Sequence, residues 1–583
     1  MHSKPFARAS LLLIGLAWTL PFLQPYHRFP LTGFYSEWLA FALGLAAALL
    51  LLRKEPSHYA TVPVIAIAPL GLILVIGLQV ALGRVNYPEQ VVTATWYLLW
   101  ASMLMLLAHV LRRELGLVVI ARALAWSLLA GGALSVLIAL LQHFQISTPL
   151  DVLIVQKKGE QGYGNLGQPN HFSTYVALAL ASTVYLYSCG RLRGVLAAIC
   201  VALFLLALAV SGSRSPWLYL GAITVLAVAL RRFQRDADSQ RLVSISLWLL
   251  PGFAAANWLV ALPFTAPHDN LLVTSAQRLF QQSSGSQTRL QLWEEAWGIF
   301  LAGPFLGAGW GQFSWHHFLH QAASGPGINP GVFNHAHNFV MQLMAETGAL
   351  GTLLVVGAVV LWFADLKTAT FDLEWWWLLA LLLVIGIHSM LEYPLWYSYF
   401  LGVVAVLLGL GAERTWALRR VGAVRVVVGL GIIVGWVNLI AVISPYRDFE
   451  RLVFTPQSRQ LPPVGDKVFG DAIVGIHREP LLTPYVELAL AYGVTVSEER
   501  LREKLELTTR AMHFAPTSVV VYRQALLLAL AGESAAATRQ LEWAMRAYPE
   551  DIKDVIAELA PLARRRPDAF APLQDLAAAK LLK

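Results

Sequence analysis

Charge is scarce in this chain. Asp, Glu, Lys and Arg make up 13% of its 583 residues, and 57% are hydrophobic; a soluble domain carries about 25% charged residues. Mean hydropathy is +0.59. A soluble chain of this length would divide into several domains, each needing a polar surface, and the side chains to make those surfaces are missing. Cysteine is nearly absent as well: Cys189 and Cys200 both sit in or beside apolar runs. That excludes a disulfide framework and a thiolate metal site. The net charge of +8 is no nucleic-acid signal, because most Lys and Arg fall in short loops between apolar runs, where they mark membrane topology.

What the chain has in abundance is apolar runs of about 20 residues, the length that crosses a bilayer core of roughly 30 Å as a helix. Lipid offers the backbone no hydrogen-bond partners, so the expected fold class is an all-α polytopic membrane protein. Thirteen spans are predicted, near 9–25, 36–52, 62–83, 93–111, 117–141, 171–189, 195–211, 215–230, 243–263, 338–363, 375–391, 395–413 and 423–443. The first run, after Lys4 and Arg8, looks superficially like a signal peptide but lacks a small-x-small cleavage site, so it counts as a helix. One set of loops, from Lys4 and Arg8 through Arg112 and Arg113 to Arg414, Arg419 and Arg420, holds sixteen Lys and Arg; the opposite short loops hold five, namely Arg28, Arg84, Lys157, Lys158 and Arg214. This bias puts the N-terminus in the cytoplasm and, with thirteen spans, the C-terminal tail outside.

Residues 1–443 are thus expected to form a transmembrane domain with a long outer loop at 264–337, and residues 444–583 an outer helical domain. Within the loop, Thr288 to Phe300 has helical apolar spacing at Leu290, Trp293 and Trp297, which suits a helix at the membrane surface. In the tail, RAMHFAP at 510–516 recurs loosely as MRAYPED at 545–551, with Pro516 and Pro549 33 residues apart. That period fits a helix–turn–helix repeat of the tetratricopeptide kind; a plain helical cap is the alternative.

Four polar motifs lie on the outer side. Gly162-Tyr163-Gly164-Asn165-Leu166-Gly167-Gln168-Pro169-Asn170-His171 is an irregular turn before a span, able to bind a polar ligand or simply to cap the helix through Asn170. Ser211-Gly212-Ser213-Arg214-Ser215 places an arginine at the membrane boundary against the charge bias, where it needs a ligand or must snorkel. The long loop carries Arg289, then Gly307-Ala308-Gly309-Trp310-Gly311, then Asn334-His335-Ala336-His337-Asn338. His335 and His337, two residues apart, share no helical face. Neither carboxylate nor Cys completes a metal set there, so one His acting as base or donor fits better than zinc. Glu392-Tyr393-Pro394-Leu395-Trp396-Tyr397 joins two spans; its aromatic residues could also be an interfacial belt. No Asp-x-Asp pair occurs in the outer loops, so no metal or other cofactor is expected.

The stretch from Arg289 through Gly307-Ala308-Gly309-Trp310 to His335-Ala336-His337-Asn338 resembles the core of the O-antigen ligase and polymerase superfamily, the Wzy/WaaL type. Gly164-Asn165-Leu166-Gly167-Gln168-Pro169-Asn170-His171, Glu392-Tyr393-Pro394 and the helical tail are similar to its PglL-type branch, the protein O-oligosaccharyltransferases of Gram-negative bacteria. The resemblance covers nearly the whole chain. It implies a glycosyltransferase of the bacterial inner membrane with its active site on the periplasmic side. An oligosaccharide would move en bloc from undecaprenyl pyrophosphate to a Ser or Thr of a periplasmic acceptor protein such as pilin. Carried over by motif, Gln168, one of His335 and His337, and one of Tyr393 and Tyr397 are functional positions. Arg214 and Arg289 match arginines expected to hold the lipid pyrophosphate. His337 is favoured as the base because it precedes Asn338 and the helix entry. Asn165, Asn170, His171 and Asn338 join the substrate-binding set. The chemistry asks for such groups: Arg can clamp a departing pyrophosphate bidentately, and a weakly nucleophilic hydroxyl needs a base.

An enzyme joining O-antigen to lipid A–core, or polymerising glycan repeats, would share fold and chemistry and differ in acceptor. A transporter or flippase would show intramembrane charges or inverted repeats at mid-bilayer depth, whereas the polar motifs here sit at one interface.

Overall fold

A computed structural model describes residues 4–52, 61–156, 161–262, 284–325, 331–366, 371–417, 420–453, 474–477 and 479–581. Of the charges and loops used above, Arg53, Lys54, Lys157, Lys158, Lys367, Arg419 and residues 263–283 and 326–330 lie outside that set.

Every predicted span falls on a helix. In chain order these are α1 (Lys4–Ala17) with α2 (Leu20–Leu23), α3 (Phe34–Leu51), α4 (Ile67–Ala81), α5 (Pro88–Leu115), α6 (Leu117–His143), α7 (Pro169–Ser188), α8 (Gly194–Val210), α9 (Ser215–Phe233), and α10 (Ala237–Ser246) with α11 (Leu249–Val260). After α12 (Ser284–Ala302) and α13 (Phe313–Ser324), in the long loop, come α14 (Phe339–Asp365), α15 (Leu373–Ser389), α16 (Ser398–Leu410) and α17 (Val421–Val453). Among the described residues, eight helical stretches are long and apolar enough to cross a membrane by length and composition. The others that match predicted spans are shorter or more polar. The last predicted span ended near 443; α17 runs on to Val453 through Pro445. The tail is helical throughout its described part: α18 (Thr483–Gly493), α19 (Leu501–Phe514), α20 (Ser518–Leu530), α21 (Ser534–Ala547), α22 (Ile552–Arg565) and α23 (Pro567–Leu581).

Compactness divides the chain into two units. One comprises Met1–Gly71, Tyr97–Ser283 and Leu354–Leu439; the other comprises Leu72–Trp96, Ser284–Leu353 and Ile440–Lys583. The first has its core around α7, which is polar by sequence yet almost wholly buried. It packs closely on α6: a Cβ on Gly132 would lie 2.2 Å from the Ala179 Cβ, the small-residue approach common to membrane helices. Its hydroxyls are spent inside the bundle. Thr183 Oγ1 donates to Ala179 O (2.8 Å), Tyr175 Oη to Trp18 O (3.0 Å) and Tyr185 Oη to Glu374 Oε1 (2.8 Å). Buried polar groups satisfied in this way carry no desolvation penalty. A short antiparallel ladder pairs β1 (Thr61–Pro63) with β2 (Thr415–Ala417), Val62 opposite Trp416. Beside it, Arg112 meets Glu413 (2.7 Å) and Arg414 meets Asp365 (2.8 Å), in the strongly basic loop set.

In the second unit the tail helices form hairpins. α19–α20 and α21–α22 start 33 residues apart, at Leu501 and Ser534, with Pro516 and Pro549 in equivalent turns. Tyr522 Oη donates to Tyr548 O (2.9 Å) across the two turns. Tyr87, just before α5, donates to the buried Glu487 of α18 (2.7 Å), which also meets Arg510 (3.0 Å). The tail therefore shares its unit with the segment before α5 and with the long loop.

Candidate active site

In the first unit, three of the four motifs converge on one side chain. The turn before α7 is set by Gly164 and Gly167, with φ of 56° and 70°; left-handed backbone is cheap only for glycine. Gln168 caps α7, its side-chain oxygen accepting the His171 N–H (3.2 Å), and its side chain makes no other hydrogen bond among the described residues. Asn170 then projects from the first helical turn. Its Nδ2 donates to Glu392 Oε1 (2.9 Å), and its Oδ1 accepts from Ser213 Oγ (2.8 Å). The GNLGQPNH turn, the Glu392-Tyr393-Pro394 turn and the SGSRS turn are joined there. Arg214, half-buried, follows Ser213 directly at the start of α9. Asn170 is a connector, not the helix cap; Gln168 takes the cap.

His171 is buried in an aromatic box, its ring 4.8 Å from Tyr397, 5.3 Å from Phe400 and 5.4 Å from His388. Tyr393 and Tyr397 stack at 6.1 Å. Burial, joined by the nearby Glu392 carboxylate, pushes the Tyr393 phenol up; burial, then Tyr393 and Glu37, does the same to Tyr397. Both phenols stay protonated at neutral pH and act as hydrogen-bonding groups. Asn165 faces inward. Its Nδ2 donates to Leu23 O and Leu153 O (both 2.8 Å) and its Oδ1 accepts from Val155 N (3.0 Å), so it shapes the turn, and its amide hydrogens are committed to backbone.

The second unit holds Arg289, His335, His337 and Asn338. Arg289, half-buried, stands on α12. That helix buries Leu292, Glu295 and Ala296, while Leu290 and Trp297 of the apolar set read from the spacing are 61% and 45% exposed. The glycine-rich loop after it is a splice. α14 breaks at Gly348 (φ 63°, ψ −163°). In an unbroken helix the N–H groups of Ala349 and Leu350 would bond Ala345 O and Glu346 O. Here they bond Pro304 O (2.7 Å) and Phe305 O (3.2 Å), while Ala308 N and Gly309 N take the vacated carbonyls (2.8 and 3.1 Å). The approach is so close that a Cβ on Gly307 would lie 2.4 Å from the Glu346 carbonyl carbon, and one on Gly309 2.3 Å from Arg84 O. This is why the motif needs those glycines.

Asn338 caps α14, its Oδ1 accepting from Val340 N and Met341 N (both 3.1 Å), and Gln342 Oε1 reaches back to Ala336 N (2.7 Å). Ala336 is fully buried; the flanking histidines are half-buried. His337 has φ of 51°, uncommon for a residue with a Cβ. His335 Nδ1 pairs with Asn334 Oδ1 (2.9 Å). Burial, with the neighbouring His337 adding to it, pushes His335 down to about 3, so it stays neutral through the physiological range.

Sequence reasoning missed Glu37, Ser213, Glu295, His317, His388 and Glu392 as partners. An acid or histidine inside an apolar run is a readable signal, and it applies to Glu37 and His388. Glu37 caps α16, accepting Ser398 N (2.7 Å) as well as Tyr97 Oη (3.0 Å), and His388 Nδ1 pairs with Thr174 Oγ1 (2.9 Å). Among the described residues no group of three His, Cys, Asp or Glu could hold a metal ion.

A helical membrane protein of many spans, with polar turns built at helix entries, is the class these features define. Comparison with known families places them further. Residues 198–356 match the family described as O-antigen ligase, 163–187 that of protein glycosylation ligase, and 376–559 that of the C-terminal part of virulence factor membrane-bound polymerase. The chain is 27% identical over 410 residues to a general O-oligosaccharyltransferase of Acinetobacter baylyi, covering 69% of each. It is 25% identical over 294 residues to a ComP-specific O-oligosaccharyltransferase of the same organism, spanning about half (50% and 51%) of each chain. Together these matches support membership of the Wzy/WaaL superfamily of O-antigen ligases, in its PglL-type branch.

Proposed function

We propose that this protein transfers an oligosaccharide en bloc from undecaprenyl pyrophosphate to a Ser or Thr hydroxyl of a periplasmic protein, pilin being one candidate acceptor. The observation that carries the reading is the meeting of the GNLGQPNH, SGSRS and EYP turns on Asn170, a residue of the stretch that matches protein glycosylation ligases. The chain would sit in the bacterial inner membrane with these motifs on the periplasmic side and the tail, residues 444–583, outside as a tetratricopeptide-like domain. Loop 264–337 belongs to the same face, with α12 at the membrane surface.

In this reading His337 accepts the proton of the acceptor hydroxyl as its oxygen attacks the anomeric carbon. The bond from that carbon to the pyrophosphate oxygen breaks, the electron pair leaves with the oxygen, and the configuration inverts. Arg214 and Arg289 offset the charge gathering on the leaving group. His335, held neutral and weakly basic, is the poorer base, which favours His337. Tyr393, Tyr397 and the uncommitted amide of Gln168 orient the sugar and acceptor. Asn165, Asn170, His171 and Asn338 hold the turns that carry these groups.

The match to the O-antigen ligase family over residues 198–356 supports a second reading with lipid A–core as acceptor. Reconstitution with a glycan-pyrophosphate-lipid and either a pilin or lipid A–core separates them. Glycan on the pilin by gel shift and mass spectrometry supports the first; glycan on lipid A–core alone overturns it.

A further inference from the structure

We propose that Glu295 and His317 form a buried positioning pair that holds the His335–His337 turn in register with the helix carrying Arg289. The inference rests on the reading of Arg289 and His337 given above. Glu295 lies on α12, less than two turns beyond Arg289, and His317 on α13; both side chains are 2% exposed. Glu295 Oε2 and His317 Nδ1 are 2.5 Å apart. The other carboxylate oxygen accepts from Gln291 Nε2 (2.9 Å), with His320 Nε2 3.9 Å away. His317 Nε2 faces Gly331 O (3.1 Å), which Gln321 Nε2 also approaches (3.4 Å) from one helical turn further along α13.

The protons can be counted. Gly331 O only accepts, so Nε2 carries a hydrogen. One proton then lies between Nδ1 and Oε2, on either atom, and the pair is net neutral. Charge neutrality and satisfied bonds let it stay buried. Its ring runs on toward the histidines. His317 is edge-on to Phe333 (5.5 Å), and Phe333 is edge-on to His337 (6.1 Å). Gly331, with φ of 142°, lets the chain turn its carbonyl toward α13. The pair thus ties together α12, α13 and the turn before α14. Catalytic geometry tolerates errors of well under 1 Å, so such a tie acts on turnover without touching substrate.

The test uses the full-length protein in the reconstituted transfer assay. His317→Phe keeps the ring parallel to Phe313 and edge-on to Phe333 but removes both polar bonds. Expected are a roughly 10–100-fold fall in kcat, a donor KM within about threefold, and a several-fold change in the rate at which diethyl pyrocarbonate modifies His337, read by mass spectrometry. Glu295→Ala should behave alike. Glu295→Gln, whose amide can donate to Nδ1, should recover at least about a third of wild-type kcat. Wild-type turnover and His337 reactivity in His317→Phe overturn the proposal, and so does Glu295→Gln as impaired as Glu295→Ala. The base assignment is separable: loss in His337→Ala beside normal His317→Phe sinks the positioning pair alone. Full activity in both His337→Ala and His335→Ala sinks the assignment and the pair's role with it.

Discussion

Replacing Asn170 with alanine tests whether the meeting of three turns matters to the reaction. The substitution takes one donor from Glu392, which is 5% exposed, and one acceptor from Ser213, also 5% exposed. A hydrogen bond to a charged group contributes about 1.5–3 kcal/mol and a neutral one about 0.5–1.5 kcal/mol. The local loss is then roughly 2–4.5 kcal/mol, before any relaxation. The helix itself should persist, because Gln168 and not Asn170 caps α7 and the rest of α7 is packed on all sides. The cost falls on the relative placement of the Gln168, Arg214 and Tyr393 turns. At about 1.4 kcal/mol per factor of ten, transfer should drop roughly 30- to 1,600-fold. The assay is glycan transfer to acceptor protein in proteoliposomes, quantified by gel mobility, with elution on size exclusion as the check of fold. A double-mutant cycle with Glu392→Gln should give coupling of about 1 kcal/mol or more between positions 170 and 392. A well-folded Asn170→Ala protein turning over within twofold of wild type would refute the reasoning, and the three turns would meet for packing alone.

Other outcomes follow from the same geometry. His337→Ala should lose about 10²–10⁴-fold in turnover with donor binding kept; near-normal turnover removes His337 from the role of base. Because His335 is pushed down to about 3, it stays neutral from pH 5 to 8, so an acid limb in the rate profile should survive His335→Gln, and its disappearance would contradict the assignment. The stability linked to that depressed value is present above about pH 6.5 and is lost as pH falls toward 3. Arg214→Lys and Arg289→Lys keep charge but lose the planar fork, and should raise the donor concentration needed for half-maximal transfer at normal protein levels; unchanged kinetics make both residues topology or packing features. Transfer should survive EDTA; loss on chelation with recovery in magnesium or manganese rejects a metal-free reaction. Alkaline phosphatase fused after Lys583 should be active in the periplasm, and an inactive, cytoplasmic fusion would undo the outer-face placement.

Local chemistry was legible in the sequence; pairing across the chain was not. Apolar length located each helix of the bundle, because burial of the backbone in lipid leaves only helices. α7 shows the limit: its Ser, Thr and Tyr lower its hydropathy, yet Tyr175 and Tyr185 find partners at Trp18, just beyond α1, and on α15, so a polar helix becomes an interior one. The turn glycines at 164 and 167 could be read as irregular backbone, but their neighbour Asn170 read equally well as a cap. Which partner it takes depends on Ser213 and Glu392, 43 and 222 residues away. The glycine motif at 307–311 was legible as a motif, but its role as a splice required seeing the break at Gly348. Glu295 and His317 belong to no recognisable pattern, since their chemistry exists only once α12 and α13 lie side by side.

The splice at Gly348 has a consequence for how such proteins can diversify. Pro304–Gly309 acts on α14 as a splint acts on a broken bone: it grips the segment on each side of the fracture, through its carbonyls on one side and its N–H groups on the other. The angle between the first stub, Phe339–Thr347, and the shaft beyond the break is therefore fixed by the splint's own length and shape. The histidine turn sits at the tip of that stub. Lengthening the splint by one residue would re-aim the tip without altering any residue of the helix or of the histidine turn. One family could in this way present the same histidines to acceptors of different bulk, leaving the membrane-spanning shaft as it is.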